Sequence, residues 1–341
     1  MRGIDETLVE CIAKIAYEKK ITPSKEHIDD IFSELDKEVF EKFRNDILTG
    51  ARESYFYEQT TSKDFLKRNF ERWENGFVAL GTHISLCIEV GKEYNNEYRK
   101  AASSENDYVF EVIISNHAKA CLISNEIYCL LINGYPDAAN ARWRSLHECS
   151  VVSNFILENG QECAEKYLRH KCVDIYKEMV STIKYAARIN RMPPSKEQFD
   201  ECKEIYDNLI AKYGKQYSSD YGWAADYLNG EKPIFSNIER TTKLDHWRPY
   251  YKEASQYIHP TSYGIAPKIA LEECESEILL VGRSNSGMVE PAHGAAISLA
   301  IVTSHILLKY SSISSSLLQG IVLKSAENVG EKFFEIFNNV N

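Results

Sequence analysis

Apolar residues recur at intervals of three and four positions along most of this chain, which is the period of an α-helix. One long series runs through Trp73, Phe77, Leu80 and Ile84. Glycine and proline, which punctuate helices, number 16 and 9 among 341 residues. We therefore predict an all-α fold of long helices joined by few turns.

The pattern also predicts how the chain is divided. The acidic, polar stretch 95–107 is typical of a linker, so we expect an N-terminal helical region over residues 1–100 and a second domain over 108–341. Within that domain we predict helices over 109–132, 137–157, 161–189, 196–213, 290–317 and 323–339. Residues 264–287 are ambiguous and leave room for one short hairpin, because they contain two short apolar runs, at 268–271 and 278–281, and turns bracketed by Gly282 and Gly287.

Composition narrows the setting in which the protein works. The formal charge of −10 opposes non-specific binding to nucleic acid, and we expect no DNA partner. The longest apolar run, 295–308, is too short to span a bilayer and contains polar residues, so we expect a buried helix and no membrane contact. The N-terminus lacks the apolar core of a signal peptide, and nine scattered cysteines suit a reducing compartment. These features predict a cytoplasmic protein.

A first polar cluster, N-A-R-W-R-S-L-H-E, lies inside an apolar helical segment that follows a glycine-containing turn. At about 100° per residue, Arg144, His147 and Glu148 share one helix face, and Glu148 is placed to pair with Arg144. Arg142 and His147 match the pattern R-x4-H, but in an unbroken helix they point about 140° apart. Charges near a core are costly unless they pair or bind something. The cluster is therefore an internal ion-pair lock, the commoner case, or part of a site.

A second polar cluster, R-P-Y-Y-K-E-A-S-Q-Y-I-H-P, begins at Arg248. Arg248, Lys252, Ser255 and His259 lie at i, i+4, i+7 and i+11. On a helix that continues to His259, all four form one stripe, with Arg248 and His259 within about 20° of each other. Such a stripe is either a solvated or interface face or a functional site.

The second cluster suggests a definite chemistry. A histidine beside lysine and arginine can act on RNA without a metal ion: His259 would take the ribose 2′-OH proton, and Arg248 or Lys252 would stabilise the phosphorane charge. At a helix C-terminus, however, the dipole favours a protonated imidazole, which suits a general acid or a helix cap better than a base.

Four other histidines occur singly among apolar residues and are predicted to be hydrogen-bonded in the core: His83, His117, His293 and His305.

Together the two clusters resemble the hallmarks of an uncharacterised family of helical bacterial proteins. These hallmarks are R-S-L-x-E, here Arg144 to Glu148, and S-x-x-x-H-P, here Ser255 to Pro260. The resemblance covers about residues 109–315. That family is in turn similar to a divergent branch of the HEPN superfamily, which is all-helical and often dimeric. Many HEPN proteins are metal-independent ribonucleases with an R-x4–6-H motif, found in toxin–antitoxin and antiphage systems, whereas others serve as structural or regulatory modules.

The resemblance implies a HEPN-like helical bundle with an extra N-terminal helical region, and it leaves two functions open. The first is an antiphage-defence or toxin-type protein that acts as a metal-independent endoribonuclease on RNA, although Lys252 stands where that motif has arginine. The second is a non-catalytic subunit that binds and regulates a partner effector enzyme, nucleotide- or NAD-consuming, in a bacterial defence complex. Both imply a homodimer or a hetero-complex with an operon-encoded effector or antitoxin, and neither requires a cofactor or metal.

A small-molecule pocket built on the same residues is a third possibility. The candidate catalytic residues are His259, Lys252, Arg248 and Ser255, and the supporting cluster is Arg144, Glu148, His147 and Arg142.

Overall fold

The computed structural model describes residues 13, 17, 18, 20, 37–259, 261–262, 269–274 and 278–339. Its helices are α1 (Lys37–Glu105), α2 (Tyr108–Ile132), α3 (Pro136–Tyr185), α4 (Lys196–Tyr213), α5 (Phe235–Thr241), α6 (Arg248–Gln256), α7 (Val289–Lys309) and α8 (Ile313–Asn338). Short 3-10 turns occupy Lys215–Ser218, Gly222–Tyr227, Asp245–Trp247 and Ile269–Leu271. None of the described residues lies in a β-strand, and the predicted all-α class is confirmed.

The chain divides into two compact units, Met1–Arg68 and Asn69–Asn341. In the first unit, the described side chains of α1 are mostly exposed. The linker expected at 95–107 is instead helical up to Glu105. The second half of α1 belongs with the second unit because its apolar residues are buried there, as at Trp73 and Phe77.

The core of the second unit lies among α2, α3 and α7, with α8 packed along α7. Phe333 of α8 stacks on Trp73 with ring centroids 5.5 Å apart and meets Phe77 edge-on at 5.8 Å. Among the described helices, α7 is long and apolar enough to cross a membrane, but 72% of its apolar window is buried inside the protein. It is therefore a core helix. This agrees with the prediction of a buried helix from the short apolar run and the polar residues within it.

Two of the four lone histidines make the core hydrogen bonds expected of them. His83 Nε2 lies 3.0 Å from the Ala296 carbonyl oxygen, and His117 Nε2 lies 3.1 Å from the Thr303 hydroxyl. His305 is also buried. His293 differs, since it is only partly buried and lines a cavity.

Local signals set several helix ends as predicted, although α7 ends at Lys309 rather than at 317 and α8 begins at Ile313 rather than at 323. Gly134 follows α2 with φ 79°, in the left-handed region that favours glycine. Gly160, with φ 75°, kinks α3 where the sequence predicted two helices. Ser195 accepts a hydrogen bond from the backbone N–H of Gln198, whose side chain bonds back to Ser195, so a capping box starts α4.

The short hairpin is not found among the described residues of 264–287. Ile269–Leu271 forms a 3-10 turn, and residues 278–281 are not in a strand. Side chains take the place of strand pairing: the Ser284 hydroxyl donates to the Ala270 carbonyl at 2.6 Å, and the Trp73 indole donates to the Asn285 carbonyl at 2.8 Å. Residues 263–268 and 275–277 lie outside the described part of the chain.

Candidate functional site

The two polar clusters meet at a buried carboxylate, Glu239 of α5. His147 of α3 places its Nε2 atom 2.7 Å from Glu239 Oε1, and Arg248 of α6 forms an ion pair with Oε2. The side chains of His147 and Glu239 are 2% and 0% exposed. A fully buried glutamate is rare unless it is paired. One carboxylate therefore joins both motif helices.

A second set of contacts runs through the Tyr251 phenol of α6. Arg144 Nη2 donates to the Tyr251 hydroxyl at 2.8 Å, and that hydroxyl donates to Glu148 Oε1 at 2.5 Å. The direct Arg144–Glu148 distance is 3.9 Å, so the expected pair exists but is bridged by the phenol. The Arg144 guanidinium also lies over the Tyr251 ring, 4.5 Å from its centroid.

The protonation state of Tyr251 follows from its surroundings. Burial raises the pKa of this phenol most, and the neighbouring Glu148 carboxylate raises it further. Tyr251 is therefore a neutral hydrogen-bond donor at physiological pH rather than a phenolate base.

We call the six residues that make these contacts the Glu239 network; they are Arg144, His147, Glu148, Glu239, Arg248 and Tyr251.

Arg142 makes its contacts away from His147 and Glu239, as its helical phase predicts. It forms an ion pair with Glu126 of α2 and donates to the Ser145 hydroxyl at 3.1 Å. This face borders a groove of about 610 Å³ that is also lined by Lys119 and Lys171. Arg142 and His147 therefore do not form a joint R-x4-H site.

The stripe expected on the second motif does not extend to His259, because α6 ends at Gln256. The Ile258 N–H bonds to the Ser255 carbonyl at 3.2 Å, a tight i→i+3 turn that departs from the α-helix. His259 also precedes a proline, and a residue in that position disfavours helical backbone angles.

The four candidate catalytic residues accordingly lie in different surroundings. Arg248 faces Glu239, whereas the Ser255 hydroxyl donates to the Tyr251 carbonyl oxygen at 2.7 Å. Lys252 and His259 are exposed to solvent. The structure brings Arg144, His147, Glu148 and Arg248 together, but it does not bring His259 to them.

Sequence reasoning missed Glu239 and Tyr251. Glu239 lies 92 positions from His147, so no helical spacing connects them. The available signal was that Glu239 shares a helix face with the apolar Phe235 one turn earlier, which places a carboxylate toward the core. Tyr251 was visible only as part of a tyrosine-rich helix.

A family model described as "Family of unknown function (DUF5677)" matches residues 110–276. The matched stretch begins in α2 and extends beyond α6, so it contains every residue of the Glu239 network. Comparison with curated proteins gave no match, and comparison with solved structures gave none.

Proposed function

We propose that this chain is a non-catalytic, HEPN-like subunit that binds and regulates a partner effector enzyme in a cytoplasmic bacterial defence complex. The observation that carries the proposal is that both arginines of the Glu239 network are paired with other residues of the network. An acid/base catalyst needs a titratable group beside cations that remain open to substrate. Here Arg248 is paired with a buried carboxylate and Arg144 with a phenol and Glu148, so both cations contribute to internal packing. The resemblance of the two motifs to helical defence proteins supplies the biological setting.

We assign the partner contact to an apolar ridge on α8. Ile313, Leu317 and Ile321 lie at i, i+4 and i+8, on one helix face, and are 84%, 67% and 55% exposed. Exposed apolar residues that adjoin one another mark protein interaction surfaces more often than residues scattered singly. The occupant we propose is an effector that consumes a nucleotide or NAD and is encoded beside this chain. Neither DNA nor a membrane takes part.

The partner proposal is tested by co-expressing the chain with the products of the flanking genes. We expect one of them to co-purify, and Leu317→Asp to weaken the complex by at least about tenfold because a carboxylate would be buried in an apolar contact. Leu323→Asp is the matched control: it changes another exposed leucine of α8, on a different face, and should leave affinity unchanged. Affinity measured by calorimetry should separate the two variants. Equal losses in both, or no complex with either neighbour, would contradict the proposal.

A ribonuclease remains the second candidate because Lys252 and His259 are exposed and accessible to RNA. The leading proposal predicts that the purified chain leaves a mixed single-stranded and hairpin RNA panel intact in the presence of EDTA. Cleavage that is lost in His259→Ala and kept in His246→Ala, a second exposed histidine, would instead establish the ribonuclease. Circular dichroism of both variants should show that the fold is unchanged.

A further inference from the structure

A cavity of about 430 Å³ opens where α3, α6, α7 and α8 meet, and it is separate from the Glu239 network. Asn140 and Trp143 of the first cluster line it. Trp247, directly before the second cluster, and Tyr250 within that cluster line it as well. Its volume falls within the range of roughly 300–1,000 Å³ that is usual for small-molecule sites. We propose that this cavity binds a small organic cation, an ammonium group carried on an apolar or aromatic body. The proposal is independent of the partner complex.

Aromatic rings form one wall of the cavity. The Trp143 and Trp247 ring centroids are 6.3 Å apart at an interplanar angle of 64°, and Tyr250 lies 5.7 Å from Trp247. The Trp143 indole N–H donates to the Ser298 hydroxyl at 3.0 Å, which fixes the ring. Indole faces attract ammonium and guanidinium groups more strongly than other side-chain rings do. The wall therefore suits a cation with apolar substituents.

Two carboxylates provide the counter-charge. Glu290 is partly buried, and among the described side chains Asn140 donates to it, at 3.0 Å. Burial raises the pKa of Glu290 against the opposing effect of that hydrogen bond, and the charge of Glu253 raises it further. A carboxylate has two acceptor oxygens, and the hydrogen bond from Asn140 goes to only one of them, Oε1. An ammonium group in the cavity could donate to this carboxylate and offset the cost of burying its charge. Glu272 adds a second carboxylate at the rim.

The described lining of the cavity carries no positively charged side chain near pH 7. None of the described residues that line it is lysine or arginine. His293 lines it as well, and burial lowers the pKa of this imidazole, so it is neutral near pH 7. Its ring lies against α8 at Gly330, where an added Cβ would be 2.6 Å from His293 Nε2. These features disfavour phosphate-bearing ligands and favour a cation.

The ligand charge is tested with three probes that share one ring: tryptamine, which carries an ammonium group, neutral tryptophol, and anionic indole-3-acetate. Calorimetric titration of the whole 341-residue chain at pH 7.5 should show tryptamine binding at least about tenfold more tightly than tryptophol, and indole-3-acetate binding more weakly still. Equal affinity for the three probes, or no detectable tryptamine binding at concentrations up to about 10 mM, would overturn the proposal.

Variants then locate the site. Glu290→Gln keeps the side-chain shape but removes the charge, and it should weaken tryptamine binding by about tenfold while leaving tryptophol binding unchanged. Trp247→Leu should weaken both probes. Glu327→Gln removes an exposed carboxylate elsewhere on α8 and should change neither. If Glu327→Gln weakened tryptamine binding as much as Glu290→Gln, the attraction would come from the overall negative charge and the cavity would not be the site.

Discussion

Replacing Glu239 with glutamine is expected to destabilise the folded chain by roughly 3–5 kcal/mol. The substitution keeps the shape of the side chain and removes the charge that Arg248 and His147 share. Arg248 would then be a partly buried cation with no ion-pair partner in the Glu239 network, and removing one member of a buried ion pair costs far more than the pair contributes. Unfolding by urea, followed by far-UV circular dichroism at pH 7.5, measures the change.

The chain contains a matched control for Glu239. Glu231 also pairs with an arginine, Arg240, but the two side chains are 45% and 52% exposed. Exposed pairs contribute about 0–1 kcal/mol, so Glu231→Gln should change the free energy of unfolding by less than about 1 kcal/mol. A similar small effect for Glu239→Gln would mean that the Glu239 network does not hold the motif helices together.

The protein is expected to lose stability steeply as the pH falls from about 6.5 toward 4. Burial lowers the pKa of His83, His117 and His305 from 6.5 to about 4. Between these values the unfolded chain binds protons that the folded chain does not, so the free energy of unfolding rises with pH across this window. Each histidine contributes up to about 1.4 kcal/mol per pH unit, and the three together up to about 4 kcal/mol per pH unit.

Single variants isolate the contribution of each histidine. His117→Gln should reduce the proton uptake on unfolding near pH 5 by about one proton, whatever its effect on stability at pH 7.5. His83→Gln should do the same. Urea unfolding at pH 7.5, 6.5, 5.5 and 4.5 gives the slopes directly. A free energy of unfolding that stays flat between pH 6.5 and 4.5, or a His117→Gln slope equal to that of the unaltered chain, would rule out the buried neutral histidines as its source.

Helices whose ends are set locally could be predicted closely from the sequence. The prediction of 196–213 matches α4, because Ser195 caps its start and Gly214, with φ 86°, ends it. The prediction of 109–132 differs from α2 by one residue at its start. Periodicity and capping residues act within a few positions, so they predict helix ends without knowledge of the tertiary fold.

Features that depend on distant contacts were mispredicted. The polar stretch 95–107 suggests a linker, yet the Arg99 guanidinium bonds to Asn95 and to Glu111 of α2, and the helix continues to Glu105. The apolar run at residue 269 suggests a strand, but serine side chains bond its carbonyl groups. In each case a side chain makes a hydrogen bond or ion pair with a residue at least 12 positions away. Local sequence patterns do not show such contacts.

The candidate site was predictable in part. Helical phase correctly separated Arg142 from His147 and placed Arg144 beside Glu148. The predicted phase of His259 was wrong because it holds only for an unbroken helix, and α6 ends three residues earlier. Glu239 could not be predicted from spacing, since tertiary packing alone brings α5 to α3.

The central claim is that the two motifs are joined through one buried carboxylate, and a pair of substitutions tests it most directly. His147→Leu and Arg248→Met each leave Glu239 with one partner, whereas the double variant leaves it with neither. We predict that the double variant loses at least about 1 kcal/mol more free energy of unfolding than the sum of the single losses. Losses that add within about 0.5 kcal/mol would show that the two motifs are energetically independent and would contradict the account.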